Sequence, residues 1–468
     1  MQIPILSGIY TDSSPSLRTS YPVNLCPVIE PSGVSDSYLK PADGVISEST
    51  GPGIGRGGIL WNSVLYRVMG SKLVSIDSSG TVTTLGDVGN DGGQVSFDYS
   101  FDRLAVGSNG NLFYWNGTTL TQVTDSDLGT VKDVIWVDGY FMTTDGEFLV
   151  VTELADPTNV DPLKYGSSEI DPDPVLALFK IRNEPHAINR YTIEVFRNIG
   201  GTNFPFQRIT GAQIQKGALG THTVAILNDA VAFLGSGRGE VPSVYIGANG
   251  QVQKLANREI DKILSEYTEA QLSKVLVESR TNEATQMLYI HLPDQTLVYN
   301  ATASAAAGVP VWFILSSSYQ ETRSQYRAQN IIWAYGKWCV CDPQSSAIGY
   351  LTDEEGGHWG SPVRWEFGTQ IFYNESQSLV FNQMELVTLT GRIKQGDTPT
   401  ISTAYSMDGH VWSTNRDIEA GQIGDRLKRL VWFRQGLMRN MRVQKFFGIS
   451  DAHLTFLRLD AKVEALSA

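Results

Sequence analysis

The sequence is poor in cysteine, in charge and in long apolar runs, and each shortage excludes something. Three cysteines in 468 residues, Cys26, Cys339 and Cys341, cannot build a disulfide framework. Cys339 and Cys341 would share one face of a strand, and all three read as reduced, small core residues. Charged residues make up only 18%, without the charge excess of a disordered chain. The formal net charge of -13 argues against affinity gained by neutralising phosphates, since that mode needs clustered Lys and Arg. No stretch reaches the roughly 18 apolar residues of a membrane span. Met1 to Thr11 has neither the basic start nor the apolar run of a leader. A soluble chain that stays in the cytoplasm of the cell that makes it is expected.

Signatures of chemistry are scarce too. The histidines, His186, His222, His291, His358, His410 and His453, never fall at the i, i+2 or i, i+4 spacing that puts two ligands on one element, so no metal or cofactor is expected. There is no G-x-S-x-G, and no cysteine in a nucleophile context. Gly53, Gly55 and Gly58 satisfy G-x-G-x-x-G, but irregular chain precedes them and a strand pattern follows, the wrong setting for a pyrophosphate. Asp353-Glu354-Glu355 reads as a solvated turn rather than an acid–base pair. Ser406-Met407-Asp408-Gly409-His410-Val411-Trp412 is similar to the Asp-box of sialidase propellers but is one residue short and occurs once. A hairpin over a buried Trp accounts for it equally well.

What the chain does have is glycine, 45 residues, and 10% aromatics, the composition of many short strands joined by tight turns. Its length suits a large β architecture plus an accessory domain. Residues 1–56, broken by Pro15, Pro22, Pro27, Pro31, Pro41 and Gly44, read as an extended arm. From Gly57, three-strand meanders recur at about forty-residue spacing, the pattern of propeller blades. Asn109-Gly110, Asn116-Gly117, Asp138-Gly139 and Asp145-Gly146 mark hairpin turns. Helical spacing near 257–276 interrupts the series, and Ala301 to Gly308 looks like a flexible linker. The expectation is a mainly β protein: a six-bladed β-propeller over 57–357, then a C-terminal β-sandwich over 358–468, where strands lengthen and alternate.

The charges segregate along the chain. Arg426, Lys428, Arg429, Arg434, Arg439, Arg442 and Lys445 fall within twenty residues, while Glu153, Asp156, Asp161, Glu169, Asp171 and Asp173 form an acidic stretch. A solvated face is the default for either. Together they also suit head-to-tail contact between subunits or with a partner ring.

Several segments resemble, in order, the packaged-DNA stabilisation proteins of short-tailed phages, tail accessory factors that form a hub or nozzle. The most specific are Leu65-Tyr66-Arg67-Val68-Met69-Gly70-Ser71-Lys72-Leu73 and Ile214-Gln215-Lys216-Gly217 leading to Pro242-Ser243-Val244-Tyr245-Ile246. Ile260 to Glu269 and Leu288 to Pro293 with Leu297-Val298-Tyr299 complete the set. Pro22-Val23-Asn24-Leu25, Ser406 to Gly409 and Val431-Trp432 are shared more widely among tail-hub proteins. Asp156 to Pro174 and much of Arg364 to Asn382 depart from the resemblance.

The resemblance implies a virion tail protein: a six-subunit ring under the adaptor ring below the portal, continuing the DNA channel above or around a needle or plug. Tailspikes or fibres would attach at its side. DNA would pass through without sequence-specific binding, an acidic wall repelling phosphate. The competing expectation is a propeller glycosidase or glycan-binding module, which needs an Arg cluster with Tyr or paired carboxylates at one end of the propeller.

Overall fold

The computed structural model describes residues 2–3, 5, 21–154, 156–375, 377–394, 397–409 and 411–466. Pro15 of the expected arm and His410 of the Asp-box-like segment lie outside the described residues. Two β bodies make up the chain, and the smaller is built from both of its ends.

Seven antiparallel sheets of four or five strands form the propeller. Their innermost strands are Gly55–Trp61, Ser96–Tyr99, Asp133–Val137, Val175–Ile181, Val224–Leu227, Leu276–Asn282 and Gln329–Ala334, and these line one central channel. The fold class is the expected one, but six blades is corrected to seven. The last blade takes three strands from 329–352 and its outer strand, Gly44–Thr50, from the start of the chain, paired with Ala347–Thr352. Nothing read along the sequence joins segments three hundred residues apart. At Gly44 the closing strand passes so near the outgoing linker that a Cβ would lie 2.3 Å from the Glu355 carbonyl oxygen.

The hairpin chemistry is partly the expected one. Asn109-Gly110 and Asp138-Gly139 have positive φ at both residues, as a type I′ turn requires. At Asn116-Gly117 and Asp145-Gly146 only the glycine does; there Asn116 and Asp145 instead accept main-chain N–H bonds from residues two and three ahead. The helical signal resolves into Arg258–Leu264, capped by Asn257, and Glu269–Leu272, closed by a capping box on Thr268. The presumed linker after Asn300 is a third helix, Ala301–Ala307. Asn300 caps its start and Gly308 ends it in the left-handed region; alanine-rich composition read as flexibility was helix propensity.

The second body is a β-sandwich. One sheet holds Val363–Gly368, Phe372–Tyr373, Thr400–Ser406, Arg416–Glu419 and Met441–Ser450. The other joins Leu379–Leu389, Leu430–Phe433, Leu437–Met438 and Thr455–Ala465 to three strands from the expected arm: Gln2–Ile3, Leu25–Val28 and Tyr38–Pro41. Ile3, Ile5, Leu25 and Leu39 pack into one core with Trp365, Phe367, Phe381, Trp432, Phe446 and Phe456. The sandwich is therefore discontinuous, and the propeller is an insertion between two of its strands.

Candidate assembly surfaces and the propeller channel

The innermost strands of all seven blades face a channel enclosing about 400 Å³. That is room for on the order of a dozen waters.

Three channel carboxylates reach from their own blade to main-chain amides of the next. Asp98 Oδ2 accepts from Trp136 N at 2.6 Å, Asp133 Oδ2 from Leu178 N at 2.7 Å, and Glu278 from Asn330 N and Ile331 N at 3.0 and 2.8 Å. Lys180 pairs with Asp98 at 3.2 Å. Buried Arg67 of blade one donates to the Asn330 carbonyl of blade seven. These groups staple neighbouring blades where a ring of separate sheets would otherwise leave buried amides without partners. Sequence reasoning missed all three, since Asp133 opens its strand and Glu278 lies in a largely polar one.

Burial pushes the Asp133 carboxyl up to about 6, against hydrogen bonds from Ser96 and the Leu178 and Val134 amides. A raised carboxyl favours the protonated folded state, so its contribution is full below about 4 and is lost as pH rises through 6. Asp133→Asn, which resembles the protonated form, should therefore gain stability relative to the wild type between pH 4 and pH 7, by about 3 kcal/mol. Melting curves of both proteins across that range check this; a pH-independent difference would refute it.

Among the described residues one hydroxyl–imidazole–carboxylate string exists: Thr296 Oγ1 lies 3.0 Å from His291 Nδ1, and His291 Nε2 lies 3.0 Å from Glu278 Oε2. Thr296 is fully buried and Glu278 is engaged by two amides, so the string braces blade six and offers no access to a substrate.

A short clasp holds the two bodies together. Val23 pairs with Ile314 of blade six on one side and with Glu366 of the sandwich on the other. Beside it Asn24, in the left-handed region at φ 54, donates Nδ2 to the Ser316 and Arg364 carbonyls at 2.8 Å each. Its Oδ1 accepts from Ser316 N at 3.0 Å. Asp43 adds an ion pair to Arg280 at 2.6 Å. Buried His358, on the linker, contacts Ser317 at 2.9 Å, and burial pushes it down to about 3.

The seven basic residues do not form one face. Arg442 is fully buried in the sandwich core, its guanidinium 3.9 Å from the Tyr405 ring centroid and 4.4 Å from that of Phe381. It donates to the Gln435 carbonyl and to Gln444 Oε1, and burial pushes it down to about 10. Lys445 is buried too, over Trp412, and pairs with Glu321 from the propeller at 3.2 Å. Arg429 pairs with Glu385 at 2.5 Å. Arg426, Lys428, Arg434 and Arg439 are exposed.

Of the acidic stretch, Glu153 pairs with Lys164, Asp161 caps the turn Pro162–Lys164, Asp171 pairs with Arg238 and Asp173 accepts from Tyr191 N. Asp156 is exposed, with its carboxylate holding Thr158, and Glu169 is exposed.

The Asp-box-like segment is a hairpin turn in which Ser406 and Asp408 bind each other and the following amides. The three cysteines are free and buried. Among the described residues no group of His, Cys, Asp and Glu is arranged to hold a metal ion. No described helix is long and apolar enough to cross a membrane.

The class these features define is a propeller–sandwich protein in which one discontinuous sandwich carries a seven-bladed propeller. The chain belongs to the family described as Bacteriophage P22 Gp10, matching its β-propeller part over residues 1–356 and its β-sandwich part over residues 364–464. The tail hub protein gp10 of Salmonella phage P22 is 25% identical over 485 residues, covering 99% of each chain. Among solved structures, the N-terminal domain of Nup159 aligns with a TM-score of 0.39 at 10% identity, over 65% of this chain and 91% of that one. The computationally designed Ika8 protein aligns at 0.38 and 11%, over 66% and 100%.

Proposed function

We propose that the chain is a structural protein of a phage virion tail, made in the host cytoplasm. Six copies form a ring, a hub or nozzle below the portal and adaptor ring, that continues and closes the DNA channel. In that place it retains packaged DNA and conducts it at ejection, meeting a needle or plug below and tailspikes or fibres at its side. The observation that carries this reading is the match, over 99% of both chains, to a tail hub protein.

Two physical points support it. The propeller channel encloses only about 400 Å³, so this reading places the DNA conduit on the axis of an assembly, between subunits. The net charge of -13 suits a wall that repels phosphate rather than one that binds it.

Electron microscopy of the purified chain, or of the virion tail, tests the reading. A six-fold ring with an axial opening is the expected result. A stable monomer that cleaves a glycan overturns it.

A further inference from the structure

We infer that the tip of the sandwich around Leu427 docks on blade three of a second copy of the chain, a head-to-tail contact that builds the assembly. The inference rests on the ring reading above and adds to it which surfaces meet.

Leu427 is 95% exposed, at the end of a loop whose shape is fixed from within. Gln422 N donates to Asp425 Oδ2, Thr390 Oγ1 donates to the Asp425 carbonyl, and Gly391 packs against Arg426. Ile423 and Leu389 are exposed beside it, and Arg426 and Lys428 flank it. A braced, exposed apolar tip with a cationic rim is the anatomy of a protein-binding surface, since water leaves such a tip with little loss of chain freedom.

Blade three carries the matching surface. Leu163 is 76% exposed and Leu154 is exposed near it, on the loop leaving the third strand of that blade. Asp156 and Asp161 supply negative charge. The loop is held by Lys164 on Glu153 and by the Tyr114 hydroxyl donating to the Pro157 carbonyl.

Placement makes the pair productive. The sandwich is clasped to blades six and seven, and in a ring of seven the blade directly across is blade three. The linker 353–362 leaves the third strand of blade seven, as the Leu163 loop leaves the third strand of blade three, so both emerge on one face of the propeller. Lys394, three residues beyond Gly391, ties the tip to that linker through Glu355 at 3.1 Å. Donor and acceptor surfaces are thus distinct patches on different sides of one molecule, which makes the contact heterologous; it closes into a ring when each contact also turns the next copy by an equal share of a full rotation.

The test begins with the wild-type full chain by native mass spectrometry, then uses Leu427→Cys and Leu163→Cys, singly and together, with a short bismaleimide. All native cysteines are buried, and both substituted side chains are exposed. The double variant should give a ladder of linked subunits that neither single variant gives. Leu427→Asp should raise the dissociation constant of assembly at least about tenfold without changing the melting temperature. A wild-type ring without the ladder, or one that L427D leaves intact, overturns this contact and leaves the ring reading standing. A wild-type chain that stays monomeric at every concentration overturns the ring reading itself.

Discussion

Asn24→Ala should cost about 4 kcal/mol or more and loosen the sandwich from the propeller. The substitution removes three hydrogen bonds and leaves the Ser316 carbonyl, the Arg364 carbonyl and the Ser316 amide in a buried junction without their partner. Each orphaned group costs roughly 1–3 kcal/mol. It also forces alanine into the left-handed region, where Asn is tolerated and most residues are strained. Asn24→Gly separates the two causes, because glycine accepts the backbone and lacks the amide. Denaturant melts should rank the wild type above Asn24→Gly, and Asn24→Gly above Asn24→Ala. Proteolysis should cut the linker 353–362 first in both variants. Equal stability of all three proteins would remove the clasp from the account.

Arg442→Ala should be at least as damaging, by about 4 kcal/mol, and confined to the sandwich. The side chain fills the space between Tyr405 and Phe381 and supplies the donors for Gln435 and Gln444. Its removal combines a cavity, a lost cation–π contact and two orphaned acceptors. Arg442→Lys keeps the charge but loses the planar fork, and should recover less than half of the loss. Near-wild-type melting of Arg442→Ala would show the core closing over the gap. The residue stood in the sequence as part of a basic surface, and its fully buried position removes it from any direct contact with a partner.

The architecture was legible where the chain talks to its near neighbours. Meanders with Asn-Gly and Asp-Gly turns announced the blades, and the longer alternating strands after residue 358 announced the sandwich. What escaped was everything that depends on distant segments. Gly44–Thr50 closes a blade whose other strands lie three hundred residues on, and its neighbouring prolines hid it as irregular chain. Leu25–Val28 and Tyr38–Pro41 were hidden the same way. The site suffered alike: charge clustering in sequence identified Arg426 and Lys428 correctly as surface charge, yet could not tell them from Arg442 and Lys445, which face inward. Nor could it pick out Asp98, Asp133 and Glu278, whose role appears only when seven separate strands meet around one channel.

The insertion of the propeller within the sandwich sets an order of events during synthesis. The hairpin Leu25–Pro41 leaves the ribosome early, but its sheet partner Thr455–Ala465 is translated some four hundred residues later. At about 5–20 residues per second, that hairpin waits roughly 20–80 s with an unpaired edge. Blades one to six can fold meanwhile from contiguous chain, and the sheet is sealed only when Thr455–Ala465 arrives. A polypeptide interrupted before residue 455 thus lacks the strand that joins Tyr38–Pro41 to Leu379–Leu389 and keeps an open sheet edge on either side of the gap.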